Sequence, residues 1–195
     1  MLSDTEELLP PYDGIKLSDV RMVKSEQDAA DALAALTAMD VLGFDTESKP
    51  TFLKGEVSTG PHLVQLATDD GAWLFQIGAA QVQAPSHSVL RAVLESGAIL
   101  KVGFGLQDDL KRLRAKLGID TRNVLDLSTA LRKGERNTLG AKTAVARFFG
   151  QKLQKSKKIT TTNWSLPRLS DKQIPYAADD AHVALRIYRR WRQQA

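Results

Sequence analysis

The chain has 195 residues, enough for one α/β domain with a buried core and too few for two generous ones. It contains no Cys, which excludes a disulfide framework and Cys-ligated zinc or iron–sulfur sites, and its three histidines, His62, His87 and His182, form no close ligand pair. Net charge is +4, yet residues 101–195 hold 21 Lys and Arg against 8 acids, a net +13, while residues 1–100 hold 6 against 15, a net −9.

The first 19 residues mix Leu, Pro and acids without period and read as an arm, draped or frayed, ahead of a single domain whose core runs from about residue 20 to 195. Acids stand where a secretory signal needs a basic start and an apolar run, and no apolar stretch approaches membrane-spanning length. The expectation is a soluble, cytoplasmic protein with no membrane partner. Residues 20–23 form a short strand candidate. Ser25 opens a capping-box-like helix start with Asp28 at the third helical position, ahead of the Ala- and Leu-rich DAADALAALTAMD.

Residues 41–46 (VLGFDT), 62–68 (HLVQLAT) and 72–77 (AWLFQI) are apolar and β-prone, and Asp69-Asp70-Gly71 between the last two fits a hairpin turn. Residues 86–94 predict a helix and 99–104 a strand. Leu106, Leu110, Leu113 and Leu117, at spacings of four, three and four, predict a helix with one buried face. Residues 123–127 predict a short strand leading into a helix at 128–131, and 139–149 a helix closed by Gly150. Residues 151–165 read as a long polar loop. A final helix over 176–191 follows, with Pro175 as its first residue. Strands first, then alternating helices and strands, imply an α/β fold with a mixed central sheet flanked by helices.

The chemistry rests on acids in three clusters. Asp45 and Glu47 lie two apart on a predicted strand and so point to the same side, with Thr46 facing away. Two carboxylates side by side repel, and a cation between them relieves that repulsion; two solvated acids at a strand end is the competing reading. Asp108 and Asp109 begin a predicted helix, where the positive end of the dipole favours acids, and periodicity does not choose between them. Tyr176 and Asp180, four apart, share one helix face, while Asp179 is turned by about 100°. Carboxylates from several elements, joined by a phenol able to orient a water, suit hard divalent cations and phosphodiester cleavage. In the basic half, Lys152, Lys155, Lys157 and Lys158, and separately Arg189, Arg190 and Arg192, suit phosphate contacts, although such runs commonly only solvate a loop or helix.

FDTE at Asp45 and Glu47 with HLVQLAT downstream, then VGFGLQDDL, then NWSLPRLSDKQIPYAADDAHVALRIY resemble, in order, the three motifs of the DEDDy branch of 3′ to 5′ exonucleases. The group is that of ribonuclease D and the Werner-syndrome helicase exonuclease, and the resemblance spans roughly residues 38–192. It implies a ribonuclease H-like fold and two divalent cations, Mg²⁺ or Mn²⁺. Asp45, Glu47, Asp109 and Asp180 are the metal ligands it implies, the second-motif offset choosing Asp109 over Asp108. Tyr176 is the residue it implies for positioning the water. The expected partner is the 3′ end of DNA or RNA, with Leu66, Phe104 and Trp164 as candidates to wedge or stack on bases and Lys152, Lys155, Lys157 and Lys158 to grip phosphate. Core packing is the alternative role for each apolar residue. Ser48-Lys49-Pro50 stands where bulkier residues are expected. With nothing after residue 195 the expectation is a stand-alone catalytic domain, the alternative being a catalytically silent nucleic-acid-binding or interaction module on the same fold.

Overall fold

A computed structural model describes residues 8–53, 55–78, 84–132 and 138–194. The first seven residues of the expected arm lie outside these. Six strands form one sheet: β1 (Val20–Met22), β2 (Val41–Glu47), β3 (Leu63–Ala67), β4 (Ala72–Gln76), β5 (Leu100–Gly103) and β6 (Val124–Asp126). Their order is β1-β4-β3-β2-β5-β6. β2, β3 and β4 pair antiparallel, and β1 on β4, β5 on β2 and β6 on β5 pair parallel, which gives the mixed sheet expected. The strand reaching furthest toward the acids, β2, is therefore central and bonded along both edges.

Helices cover both faces. α1 (Glu26–Thr37) starts as the sequence predicts: Ser25 Oγ accepts the Asp28 amide at 3.1 Å, and the Asp28 carboxylate accepts the Ser25 amide at 2.9 Å. It buries Ala29, Ala32 and Leu36, and α2 (Ala84–Leu94) buries Val89, Leu90, Val93 and Leu94, against Leu42, Phe44, Val64, Leu66 and Phe75 of the sheet. α3 (Gln107–Leu117) adds Leu113 to this layer and ends at Gly118. On the opposite face α5 (Ala141–Phe149) and α7 (Gln173–Gln194) pack Ala144, Val145, Val183, Ala184 and Ile187 on Val41 and Val102, while Ala177 and Ala181 meet Leu63, Ala67 and Leu74. α4 (Leu127–Ala130) is a single turn after β6. No helix among the described residues is long and apolar enough to cross a membrane.

Two expectations need correction. Residues 151–165 are not all loop, because α6 (Lys157–Thr160) is one helical turn, too short to leave a periodic signal. α7 starts at Gln173, two residues before Pro175, the expected first residue: Ser170 and Gln173 bond reciprocally, Ser170 N to Gln173 Oε1 at 2.9 Å and Gln173 N to Ser170 Oγ at 3.3 Å. Pro175 then falls inside the first turn, where its missing N–H has no intrahelical partner to lose.

The described part of the arm is fixed to the domain around residues 10–15. Tyr12 N donates to Lys152 O at 2.9 Å and Lys152 N to Pro10 O at 2.8 Å, while Arg186 donates to the Tyr12 hydroxyl at 3.0 Å and lies 5.1 Å from the centres of both the Tyr12 and Phe149 rings. The arm thereby anchors the beginning of the 151–165 segment.

Candidate active site

Alternation along β2 sends Leu42, Phe44 and Thr46 toward the α1–α3 layer and Val41, Gly43, Asp45 and Glu47 toward α7. A Cβ on Gly43 would overlap the carbonyl oxygen of Ala181, so glycine lets α7 lie directly on the strand. That approach brings Asp180, the residue before Ala181, against Asp45. Tyr176 sits one turn earlier. Its hydroxyl shares a 2.7 Å hydrogen bond with the Thr160 hydroxyl of α6, and its ring tilts against Trp164 with centroids 6.1 Å apart.

Asp109 arrives from the other face of the sheet. Asp126 accepts the amides of Gly105 at 2.9 Å and Leu106 at 3.1 Å, fixing the turn from β5 into α3, with Gly105 at φ 69°. Asp109 then meets the edge of β2, where Thr46 Oγ1 donates to its Oδ1 at 2.6 Å. The two doublets separate clearly. Asp108 is exposed and pairs with Lys111 at 3.6 Å. Asp179 accepts the Ile15 amide at 2.7 Å and so holds the arm, leaving Asp180 to face the strand.

Charge is concentrated here. Burial, then the charge of Asp180, raises the Asp45 carboxyl well above the usual range. Burial and then Asp45 push Glu47 up to about 9. Asp180 is raised by burial against the pull of Lys155, and Asp109 by burial against the Thr46 hydrogen bond. Burial and then Asp180 push the Tyr176 phenol up to about 12, which keeps it protonated near neutrality. One cation has turned inward: Lys155 Nζ lies 2.8 Å from Asp180 Oδ1. Burial disfavours its charge, but Asp180 and then Asp45 hold the ammonium above its ordinary value.

The other residues considered for substrate contact are dispersed. Leu66 is fully buried against the α1–α2 layer and Trp164 is 1% exposed with its indole N–H donated to Thr160 O at 3.2 Å, so neither offers a face to a base. Both apolar side chains do more for the fold by packing than by waiting for a ligand. Phe104 is half-buried beside the α5–α7 layer. Lys157 and Lys158 are exposed on α6, and Lys152 is half-buried with its backbone bonded to the arm. Sequence reasoning missed Thr46, Asp126 and Thr160. A hydroxyl facing away from the carboxylate pair carries no periodic signal of a partner 63 residues later.

A hard divalent cation suits this donor set, which is all oxygen, with Asp45 and Glu47 raised by burial and then by their acidic neighbours. As the side chains stand, no group of three or more His, Asp or Glu among the described residues is gathered closely enough to hold one. In this arrangement Asp109 is bonded to Thr46, and Asp180 to Lys155.

The sequence matches the family model described as 3′-5′ exonuclease over residues 20–194. It is 28% identical over 153 residues to the mouse bifunctional 3′-5′ exonuclease/ATP-dependent helicase WRN, covering 77% of this chain and 11% of that protein. It is 28% identical over 154 residues to an Arabidopsis thaliana 3′-5′ exonuclease, covering 76% and 51%. The chain thus spans about half or less of the length of these two relatives. The Aedes aegypti Nibbler EXO domain superposes with a TM-score of 0.79 at 25% identity, covering 94% of this chain and 92% of that one.

Proposed function

The chain belongs to the 3′-5′ exonuclease family, and from that premise we propose that it hydrolyses the terminal phosphodiester at the 3′ end of DNA or RNA. Its mixed sheet between helical layers is the ribonuclease H-like fold of such domains. The observation that carries the reading is the meeting of Asp45 and Glu47 on β2 with Asp180 and Tyr176 on α7, and with Asp109 at the strand's edge. Acids held up by burial, and at Asp45 and Glu47 by their acidic neighbours as well, oppose folding at neutral pH, which favours a functional role over a structural one.

Asp45, Glu47, Asp109 and Asp180 would hold divalent cations, Mg²⁺ or Mn²⁺, which would supply Lewis acidity and offset negative charge on the phosphoryl oxygens and the departing 3′ oxygen. The protein's own part is positional. Central β2 fixes the spacing of Asp45 and Glu47 through their pairing with Gln65 and Leu63 of β3. Tyr176 stays a neutral phenol, able to donate to or accept from a water and aim it in line with the scissile bond, and Thr160 holds that hydroxyl in place. His62 ties down the segment after Glu47, accepting the Lys49 amide at 3.0 Å and pairing with the Thr59 hydroxyl at 3.1 Å, which shapes the wall beside the strand.

The test is incubation with 3′- and 5′-labelled DNA and RNA oligonucleotides in Mg²⁺, Mn²⁺ or EDTA. Stepwise shortening from the 3′ end that stops with EDTA and with Asp45→Asn or Asp180→Asn is expected. Nucleic-acid binding without metal-dependent cleavage would overturn the reading in favour of a silent module.

A further inference from the structure

Lys155 differs from every other base in the 151–158 run. Its ammonium is set 2.8 Å from Asp180 Oδ1, with the Lys155 side chain 30% exposed and that of Asp180 5% exposed. It is the one ion pair among the described residues that reaches the carboxylate cluster, since the others join Arg91 to Glu95, Lys111 to Asp108, Arg114 to Asp120 and Arg189 to Asp40 and Asp69. Its backbone is held on both sides, by the bridge of Lys152 to the arm and by α6, while its stem of four methylenes keeps the ammonium free to swing.

A cation bound at Asp180 Oδ1 must take the place of this ammonium, because two positive charges cannot share one carboxylate oxygen without strong repulsion. The ammonium then needs an anion nearby. A terminal phosphate drawn to the same carboxylate-bound cations is the anion that the exonuclease reading brings there, and Lys is suited to it as a mobile point charge with three donors. We propose that Lys155 is a resident counter-ion that occupies Asp180 when no metal is bound and passes to the substrate phosphate when cations load, so that metal and substrate bind cooperatively. Metal alone then binds at the cost of stranding the ammonium, and phosphate alone meets uncompensated carboxylates. Each removes the other's obstacle, and linkage requires the coupling to be reciprocal.

The identity of the anion rests on the exonuclease reading; the displacement of Lys155 by metal does not. The experiment is calorimetric titration of the intact protein with Mn²⁺, alone and with saturating AMP or dAMP, which are single-nucleotide phosphates that need no cleavage. In the wild type the nucleotide should tighten Mn²⁺ binding by about tenfold, within the usual range of such couplings. Lys155→Met should bind Mn²⁺ alone several-fold more tightly than the wild type and lose most of the nucleotide's effect. Lys155→Arg keeps the charge and should keep the coupling, which guards against a Met variant that folds poorly. Unchanged or weaker Mn²⁺ binding by a folded Lys155→Met, or full coupling without the ammonium, overturns the proposal. Mn²⁺ tightening in Lys155→Met together with a wild type that binds nucleotide yet never cleaves would sustain the displacement and sink the exonuclease reading instead.

Discussion

Thr46 Oγ1 donates to Asp109 Oδ1 across 2.6 Å, joining an acid at the start of α3 to the strand that carries Asp45 and Glu47. The hydroxyl lies on one face of β2 and the carboxylate pair on the other, so this bond is how the sheet's two layers are brought to a common edge. Thr46→Val keeps the shape and removes the donor. It should lower stability by about 1 kcal/mol and slow cleavage roughly tenfold at limiting Mn²⁺, with Thr46→Ser restoring both; an unchanged metal dependence in the Val variant would show that Asp109 needs no such holder.

Gly43 fixes how close α7 comes. A methyl group there would meet the Ala181 carbonyl, which is backbone and cannot rotate away. Gly43→Ala should therefore lift α7, cost about 1–3 kcal/mol or more, and separate Asp180 from Asp45. Denaturant unfolding and the cleavage assay report the two effects, and the activity loss should exceed what the remaining folded fraction explains.

Tyr176→Phe removes only the hydroxyl that Thr160 holds. Oligonucleotide and Mn²⁺ binding should remain, while single-turnover cleavage falls by about 10²–10⁴-fold. A rate within threefold of the wild type would remove Tyr176 from the reaction.

The doublets give a paired test. Asp180→Asn should abolish cleavage in a folded protein. Asp179→Ala should instead cost about 1–2 kcal/mol by releasing the Ile15 amide, with cleavage per folded molecule nearly intact. Asp108→Asn should be silent in both respects, since its partner Lys111 is on the surface. The reverse pattern at 179 and 180 would exchange their roles.

Arg189 bridges Asp40, at the mouth of β2, to Asp69 in the β3–β4 turn, at 2.7 Å and 3.0 Å. Its hydrogen bonds hold the Asp40 carboxyl below the usual 3.8. A carboxyl with a depressed folded pKa contributes stability above its unfolded pKa and loses it as pH falls through the lower folded value. Arg189→Met should thus be less stable than the wild type at neutral pH by about 1 kcal/mol or less, as the pair is exposed. The two unfolding curves should converge below that range, and a difference persisting at the acid end would assign the loss to packing of the Arg stem.

Much of this was legible in the chain. β2, β3 and β4 announce themselves by β-prone runs with a turn between the last two, and α1 by Ser25 and Asp28. The same-face geometry of Asp45 with Glu47 follows from alternation alone. What stayed hidden depends on where separate elements meet. The Thr46–Asp109 bond needs the turn that Asp126 shapes, α6 is a single turn without a period, and the inward swing of Lys155 looks from sequence like one more solvated base. Leu66 and Trp164, for which the sequence allows core packing or base contact, are fully or almost fully buried in the core.

The central place of β2 has a consequence for amide hydrogen exchange. Its backbone is paired with β3 over residues 43–47 and with β5 over residues 41–43, so the amides of this buried strand should exchange only when the whole domain opens. The segment bearing Lys155 and Thr160 is joined to the domain by the bridge at Lys152 and by side-chain contacts to Asp180 and Tyr176 and carries only one helical turn, and its amides should exchange through local openings that leave the sheet intact. The acids on the strand and the lysine that faces them thus run on a slow clock and a fast one, and protection measured with and without Mn²⁺ would show whether the metal brings the two together.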